Sequence, residues 1–290
     1  MNTSDRLGEL LGVPVTDVRT AGAQHGYQHL TARLADGRQA FVKAAAPAGD
    51  EATAEAFAAE ANGLRWLAEA NAVPVPEVLG VGHDLLVIEL LPDGSATPDA
   101  AAQFGERLAR MHAAGAESFG APWPGYIASL PLDNTPGTEW GSWYAEQRLV
   151  PYLRKAHDDG ALDDADLSLV ETVVNRIGEL AGPPEPPSRI HGDLWAGNVL
   201  WSGGRGWLID PDAHGGHRET DLAMLALFGA PHLERIMRGY TGTLSAPLAD
   251  GWRDRVPLHQ LHPLLVHVCL FGGSYTAQVR AAARAALGGS

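Results

Sequence analysis

The chain has almost no sulfur chemistry and almost no lysine. One cysteine, Cys269, in 290 residues leaves no intramolecular disulfide to form, so a small cross-linked scaffold is excluded. Cys269 sits in an apolar run without a basic neighbour close in sequence, which reads as a small buried hydrophobe. Long hydrophobic runs are also missing. The best, residues 263–271, falls well short of the ~18 residues of a bilayer span and is interrupted by His267. The opening MNTSDRLGELLG has neither the basic flank nor the apolar stretch of a signal peptide, so a cytoplasmic protein is expected. Nor is there a basic excess: 35 Asp and Glu stand against 21 Lys and Arg, and a formal charge of -14 repels phosphate backbones and anionic lipid. Nucleic acid and membranes are not expected partners.

Among the cationic residues, 19 are Arg and only Lys43 and Lys155 are Lys. In a chain that uses arginine so freely, a retained lysine marks a place where a compact ammonium fits and a guanidinium fork does not. Lys155, in LRKAHDDG, reads as a solvated helix end, whereas Lys43 stands in the apolar strand AFVKAA. With 45% hydrophobic and 19% charged residues the chain is globular, of a length for one large domain or two modest ones.

No internal repeat is present, and the order of elements falls into two parts. Residues 3–11 read as a short amphipathic helix capped by Thr3 or Ser4. Asp36-Gly37 between two alternating runs predicts a hairpin. Residues 51–72 carry Phe57, Leu64 and Leu67 near helical spacing and end at Val73-Pro74-Val75-Pro76. Two strand-like runs, EVLGVG and DLLVIELL, precede a turn-rich linker at 91–100. Helical stretches follow at about 98–114, 138–157 and 162–181, then two short β-segments with polar loops, then mainly helix from Arg218. An α+β fold is expected, with a small β-rich lobe over residues 1–91 and a larger α-helical lobe over 92–290.

The densest chemistry lies between His191 and Asp221. His191-Gly192-Asp193 is followed by Asn198, and beyond the strand GWLI by Asp210-Pro211-Asp212. This spacing matches phosphoryl transfer, in which one Asp accepts the proton of the acceptor hydroxyl while an Asn and a later Asp hold Mg2+. A triphosphate needs its charge neutralised, the metal needs hard oxygen ligands, and the attacking hydroxyl needs a carboxylate within reach. The complementary parts of an ATP site are present. Lys43 is the strand lysine for the phosphates, and Glu60 is its helix partner, preferred over Glu55 because it falls one turn past Phe57. Gly22-Ala23-Gln24-His25-Gly26 supplies a glycine loop, with Gly22 and Gly26 as its phosphate-facing glycines, although it lacks the full GxGxxG pattern. The backbone from Glu89 to Leu91 is the expected adenine contact.

The residues AFVK at 40–43, FAAE at 57–60, ELLP at 89–92, LARMH at 108–112, HGDLWAGN at 191–198, IDPDAHGGHRETDLAML at 209–225 and LFGGSY at 270–275 resemble the fructosamine kinase (ketosamine-3-kinase) family. That family belongs to the aminoglycoside phosphotransferase-like branch of the protein-kinase-like fold. The resemblance implies transfer of phosphate to the 3-hydroxyl of a fructosamine or ribulosamine, giving an unstable product and reversing glycation. Two positions depart from the family's pattern. Ala23 stands where many members have a cysteine in the glycine loop, so disulfide-linked dimerisation there is not expected and a monomer is. Asp212 stands where the family has alanine, adding an acid near the metal site.

The remaining polar residues divide between site and scaffold. Trp195 is either core or a platform for a sugar face, Glu219 either a substrate contact or a group bonding backbone NH, and Asp221 a structural carboxylate. His191 is expected to brace the loop. His259, His262 and His267 lack any usual zinc spacing and are expected on a C-terminal helix as core or surface residues. Two rival functions stand beside the ketosamine kinase: an aminoglycoside, choline or amino-alcohol kinase of the same fold, and a nucleotide-binding regulator without catalysis. The full set of base, metal ligands and lysine argues against the second.

Overall fold

The computed structural model describes residues 2–24, 26–45, 51–243 and 247–288. Helix α1 (Thr3–Leu11) opens the chain, and its cap is Asn2, whose side chain accepts from the Asp5 amide, in place of the expected Thr3 or Ser4. The Asn oxygen sits one residue earlier and satisfies an NH of the first turn, so Thr3 and Ser4 are already helical. Strands β1 (Val15–Gln24), β2 (Tyr27–Leu34), β3 (Gln39–Ala44), β4 (Val78–Val81) and β5 (Leu85–Glu89) form one antiparallel sheet in the order β1-β2-β3-β5-β4. Asp36-Gly37 makes the turn between β2 and β3, and Gly37 takes the left-handed φ of 92° that such turns require.

The two-residue period of these strands sorts side chains onto two faces. Ala40, Val42, Ala44, Leu85 and Val87 pack with Leu7 of α1. Leu86 and Ile88 point the other way and pack against Phe57, Ala61 and Leu64 of helix α2 (Glu51–Glu69). Lys43, one step out of phase with Val42 and Ala44, is therefore directed to the α2 face. Its fixed partner on that helix follows from the same arithmetic: Glu60 lies between Phe57 and Ala61, next to the buried stripe.

Helix α3 (Pro98–Ala113), capped by Thr97, begins the helical part, followed by the hairpin β6 (Gly125–Ile127) and β7 (Leu130–Leu132). Helix α4 (Trp140–Tyr144) runs through a π-helical turn at Ala145–Leu149 into α5 (Val150–Asp158), so the stretch expected at 138–157 is one helix with a bulge. Helices α6 (Asp164–Asn175) and α7 (Ile177–Leu180) divide the stretch expected at 162–181. Four short strands then carry the polar loops: β8 (Ser188–Ile190) pairs with β11 (His214–Gly216), and β9 (Val199–Ser202) pairs with β10 (Arg205–Leu208). Helices α8 (Arg218–Leu227), α9 (Leu233–Thr243), α10 (Trp252–Phe271) and α11 (Thr276–Ala286) complete the chain. The three histidines of the C-terminal region fall on α10, with His259 and His262 buried. Lys155 ends α5 on the surface and pairs with Asp159 at 2.9 Å. Cys269 is half-buried with its thiol against the Tyr152 carbonyl, and burial pushes that thiol up to about 11, consistent with an unreactive group. No described helix is long and apolar enough to cross a membrane.

The two main cores of this part lie on either side of the polar loops, one built on α4, α5, α6 and α10 and the other on α3, α8 and α9. Helices α3 and α9 approach backbone to backbone through paired glycines. A Cβ on Gly105 would lie 1.9 Å from the Ile236 carbonyl oxygen, and one on Gly239 would lie 2.0 Å from that of Ala102. Side chains cannot yield there because the obstacle is main chain. Gly105→Ala is expected to force the helices apart and lower stability by about 1–3 kcal/mol, measured by urea unfolding; an unchanged midpoint would show that the helices separate without cost.

Candidate active site

The pairing of β8 with β11 and of β9 with β10 brings the loops His191–Asn198 and Asp210–Ala213 together, facing Lys43 and α2 across a cleft of about 440 Å3. Lys43 is 8% exposed and its ammonium lies 2.8 and 2.6 Å from the two Glu60 oxygens and 3.0 Å from Asp210 Oδ1. Burial opposes the charge on Lys43, but the two carboxylates outweigh it and hold the group protonated, above its ordinary value. Glu55, the competing partner, is instead bonded by the Tyr126 hydroxyl.

Asp193 is positioned by its neighbours. Asn198, at the end of a short 3-10 turn, donates from Nδ2 to the Asp193 carbonyl at 2.8 Å and to its carboxylate at 2.9 Å. With its nitrogen so used, Asn198 has its side-chain carbonyl oxygen left for a cation. Burial, with the nearby charges of Asp210 and Asp221, pushes the Asp193 carboxyl up to about 7 against the lowering effect of the Asn198 bond. Asp210 takes a left-handed φ of 53°, unusual for a residue with a side chain, which turns its carboxylate toward Lys43 while the chain reverses into Pro211. Two hard oxygen donors, Asn198 and Asp210, thus flank Asp193, a donor set that suits Mg2+.

His191 is fully buried and bridges the two loops. Its Nε2 donates to the Ile209 carbonyl at 2.9 Å, which leaves Nδ1 to accept from the Asp193 amide at 3.2 Å. The loop backbone is held from below by Asp221, whose carboxylate accepts from the amides of His191 at 2.8 Å and Gly192 at 3.0 Å. Asp221 therefore bonds backbone NH groups of the polar loop, not of a helix start; the cap of α8 is His217, whose Nδ1 accepts from the Glu219 amide. Burial alone would raise the Asp221 carboxyl, but bonds from His112 and the loop hold it below the usual carboxylate range. Gly192 has φ 87°, and a Cβ there would strike the Asp212 carbonyl oxygen at 2.2 Å. Only glycine lets the two loops approach so closely.

Trp195 is 38% exposed in the cleft, so the core reading is set aside. Its indole lies over Gly197, where a Cβ would come within 2.2 Å of the ring. Asp212 also lines the cleft; burial and the charge of Asp193 raise its carboxyl well above the ordinary value, while the buried Arg148 acts in the opposite sense. Gly22 and Gly26 bracket the turn from β1 to β2 with φ of 141° and 83°, and Gln24 and Tyr27 beside them line the cleft; His25 lies outside the described residues. Glu89 ends β5 and Leu91 follows, on the strip leading to α3; neither is among the residues lining the cleft around Asp193.

Glu219 is a correction. It is 1% exposed and both its oxygens are taken by Arg255, at 2.9 and 2.6 Å, beneath α8 and away from the cleft, so it does not touch an acceptor. Its buried cation partner lies 36 residues on, a pairing that local sequence does not reveal. Glu219, His217 and His259 are close enough to surround a metal ion, but the guanidinium on both carboxylate oxygens occupies that place. Sequence reasoning also missed the rim aromatics Phe228, Phe271 and Tyr275, and did not place His267 in the cleft. The i, i+4 spacing of His267 and Phe271 on one helix is the signal that could have found them.

A sheet-borne lysine paired with a helix glutamate, facing a loop with an aspartate, an asparagine and a second aspartate, is the site of a protein-kinase-like phosphotransferase. Residues 2–288 match the fructosamine kinase family model. The chain is 34% identical over 279 residues to the probable ketoamine kinase YniA of Escherichia coli, covering 93% of this chain and 92% of that one. A "putative fructosamine-3-kinase" of Thermobifida fusca, a solved structure, superposes with a TM-score of 0.93 at 53% identity over 99% of this chain and 98% of its own. An ADP-bound aminoglycoside phosphotransferase, at 14% identity and a TM-score of 0.67 over 97% of each chain, shares the fold. The chain belongs to the fructosamine kinase family, and it is a phosphotransferase.

Two expected outcomes follow from the geometry. If Asp210 serves as a metal ligand and Asp193 as the base toward the acceptor, Asp193→Asn and Asp210→Asn are both expected to abolish turnover, but only the second to weaken binding of a Mg2+-bound, non-hydrolysable ATP analogue by calorimetry. Equal losses in both variants would contradict that division. Separately, Arg255 and His259 hold the Glu219 carboxyl at about 2, against the burial that would raise it, compared with an ordinary 4.5. A depressed acid stabilises the fold above its unfolded value, and that stability drains as pH falls from 4.5 toward 2. Glu219→Gln leaves Arg255 buried and unpaired, so it should cost about 3–5 kcal/mol at neutral pH and flatten the acid slope, read by thermal melts across pH.

Proposed function

We propose that the protein transfers the γ-phosphoryl group of ATP to the 3-hydroxyl of a ketosamine, a fructosamine or ribulosamine formed when a sugar glycates an amine. The observation that carries this reading is the Asp193 carboxylate, fixed by Asn198 beside the Lys43–Glu60–Asp210 set, in a chain of the fructosamine kinase family. Residues 1–91 then form the nucleotide-binding lobe and 92–290 the catalytic lobe, with adenine against the backbone of Glu89 to Leu91 and phosphates beneath Gly22 and Gly26.

In the proposed mechanism Lys43, oriented by Glu60, holds the α- and β-phosphates, and its point charge keeps the triphosphate extended toward Asp193. Asp193 accepts the proton of the acceptor hydroxyl as its oxygen bonds to the γ-phosphorus and the bond to the β-phosphate oxygen breaks. Asn198 keeps the carboxylate turned to the acceptor throughout. Asn198 and Asp210 would hold Mg2+, which would neutralise the phosphate charge when bound. Trp195 offers a flat face to the sugar ring. The product's 3-phosphate leaves readily once a proton is lost from C1, and hydrolysis of the resulting imine frees the amine, which is the chemical basis for deglycation.

The test is a panel of ketosamines, choline, homoserine and kanamycin-like aminoglycosides, followed by ADP release and product mass. Ketosamines are expected to be phosphorylated, and Trp195→Ala to weaken the sugar substrate by about 1–3 kcal/mol with nucleotide affinity unchanged. Turnover of an aminoglycoside or choline with none on any ketosamine would overturn the acceptor and leave the kinase.

A further inference from the structure

Three large hydrophobic side chains are exposed among the described residues, Trp195, Phe228 and Phe271, and all three line the same cleft. They belong to one continuous row of rings. Trp195 meets Phe228 edge-on with centroids 6.4 Å apart, Phe228 meets His267 at 5.0 Å, and His267 meets Phe271 at 5.5 Å and Tyr275 at 4.8 Å. Folding alone gives no reason to leave 57% of Phe271 in water when other phenylalanines of the chain, such as Phe57, Phe104 and Phe119, are buried. The row is fixed from behind: His267 bonds the Pro263 carbonyl at 2.7 Å through Nδ1, so its ring stands at a set angle to α10.

The charges in the cleft point to what lies on this wall. Lys43 is the only lysine or arginine among the described residues lining it, and its ammonium is already engaged by Glu60 and Asp210. Asp193 adds a further carboxyl group, Asp212 adds one that burial and Asp193 hold well above its ordinary value and so toward the neutral form, and no described lysine or arginine faces the rings within the cleft. Burial keeps His267 below its ordinary value, so the wall brings no positive charge of its own. An apolar, ring-lined surface beside the Asp193 carboxyl, in a cleft whose one described lysine is already engaged, suits a cation carrying apolar substituents.

We propose that Phe228, His267, Phe271 and Tyr275 form the subsite for the amine half of the acceptor and select ketosamines whose nitrogen bears an apolar or aromatic substituent. The inference rests on the ketosamine reading above. With the sugar's 3-hydroxyl at Asp193 and its ring against Trp195, the substituted ammonium extends along the row toward Phe271. An amine carrying a carboxylate next to its nitrogen meets the cleft's acids and gains nothing from the rings.

The experiment compares fructosylbenzylamine with fructosylglycine as acceptors for the wild type, for Phe228→Ala/Phe271→Ala, and for Phe271→Leu, which keeps apolar bulk without a ring. In the wild type the benzyl substrate is expected to have a KM at least about tenfold lower. The double variant is expected to bring the two within about threefold and Phe271→Leu to give an intermediate ratio, with the KM for ATP serving as a control of the nucleotide lobe. Equal KM values in the wild type, or a ratio unchanged in both variants, would overturn the subsite. If neither ketosamine is phosphorylated, the acceptor reading fails on its own. The subsite is then judged by benzyltrimethylammonium, whose binding is expected to quench indole fluorescence in the wild type and to weaken about tenfold in the variants, and absence of that binding would overturn it.

Discussion

One buried carboxylate organises the polar loops of the helical part of the molecule. Asp221 has no exposed surface, yet it is kept ionised by the amides of His191 and Gly192 and by His112, whose other ring nitrogen bonds the Tyr240 hydroxyl at 2.8 Å. A charge in such a place is tolerated only when every lone pair has a donor. Those donors come from α3 and from the loop between β8 and β9, while Tyr240 of α9 holds His112 from behind, so the requirement to satisfy one side chain of α8 fixes these segments relative to one another. The close glycine contact of α3 with α9 belongs to the same arrangement, because it brings His112 and Tyr240 together. Asp193 then inherits its place from the loop above it, and Asn198 only has to set its angle.

The second constraint acts between the sheet and the helical part. Lys43 is aimed by strand alternation, Glu60 by helical spacing, and Asp210 by a left-handed turn, and the three meet at one ammonium. No one of these residues could be moved by a single position without pointing elsewhere. A lysine at 42 would enter the α1 face of the sheet, and a glutamate at 61 would enter the core between α2 and β5. The ion set thus ties the register of β3 to the geometry of the turn after β10.

These features explain which parts of the molecule were legible in the amino-acid sequence. Local codes read well: the Asp36-Gly37 turn, the α2 stripe and the HGD-to-DPD spacing each depend on residues close together in the chain. Lys43 with Glu60 could be paired because each element has a fixed period. Long-range satisfaction could not be read. Glu219 looks like an acid near a site until Arg255, on another helix, is seen to hold it, and Asp221 looks like a helix cap until the loop amides reach it. Trp195 was undecided for the same reason, since whether an indole is core or platform depends on Gly197 beneath it and on what does not cover it. The first cap differed by only one residue, as Asn2 and Thr3 offer the same kind of oxygen.

The burial of Lys43 has a consequence for the protein's own durability. Glycation begins when an unprotonated amine attacks the carbonyl of a reducing sugar, and this chain has only two lysine side chains to offer. One is enclosed and kept protonated by two carboxylates, and the other stands at a helix end with Asp159 against it. A surface whose positive charge is carried almost wholly by guanidinium groups gives reducing sugars few ε-amino groups with which to condense. An enzyme that meets glycated amines as substrates would then be a poor target for the same modification.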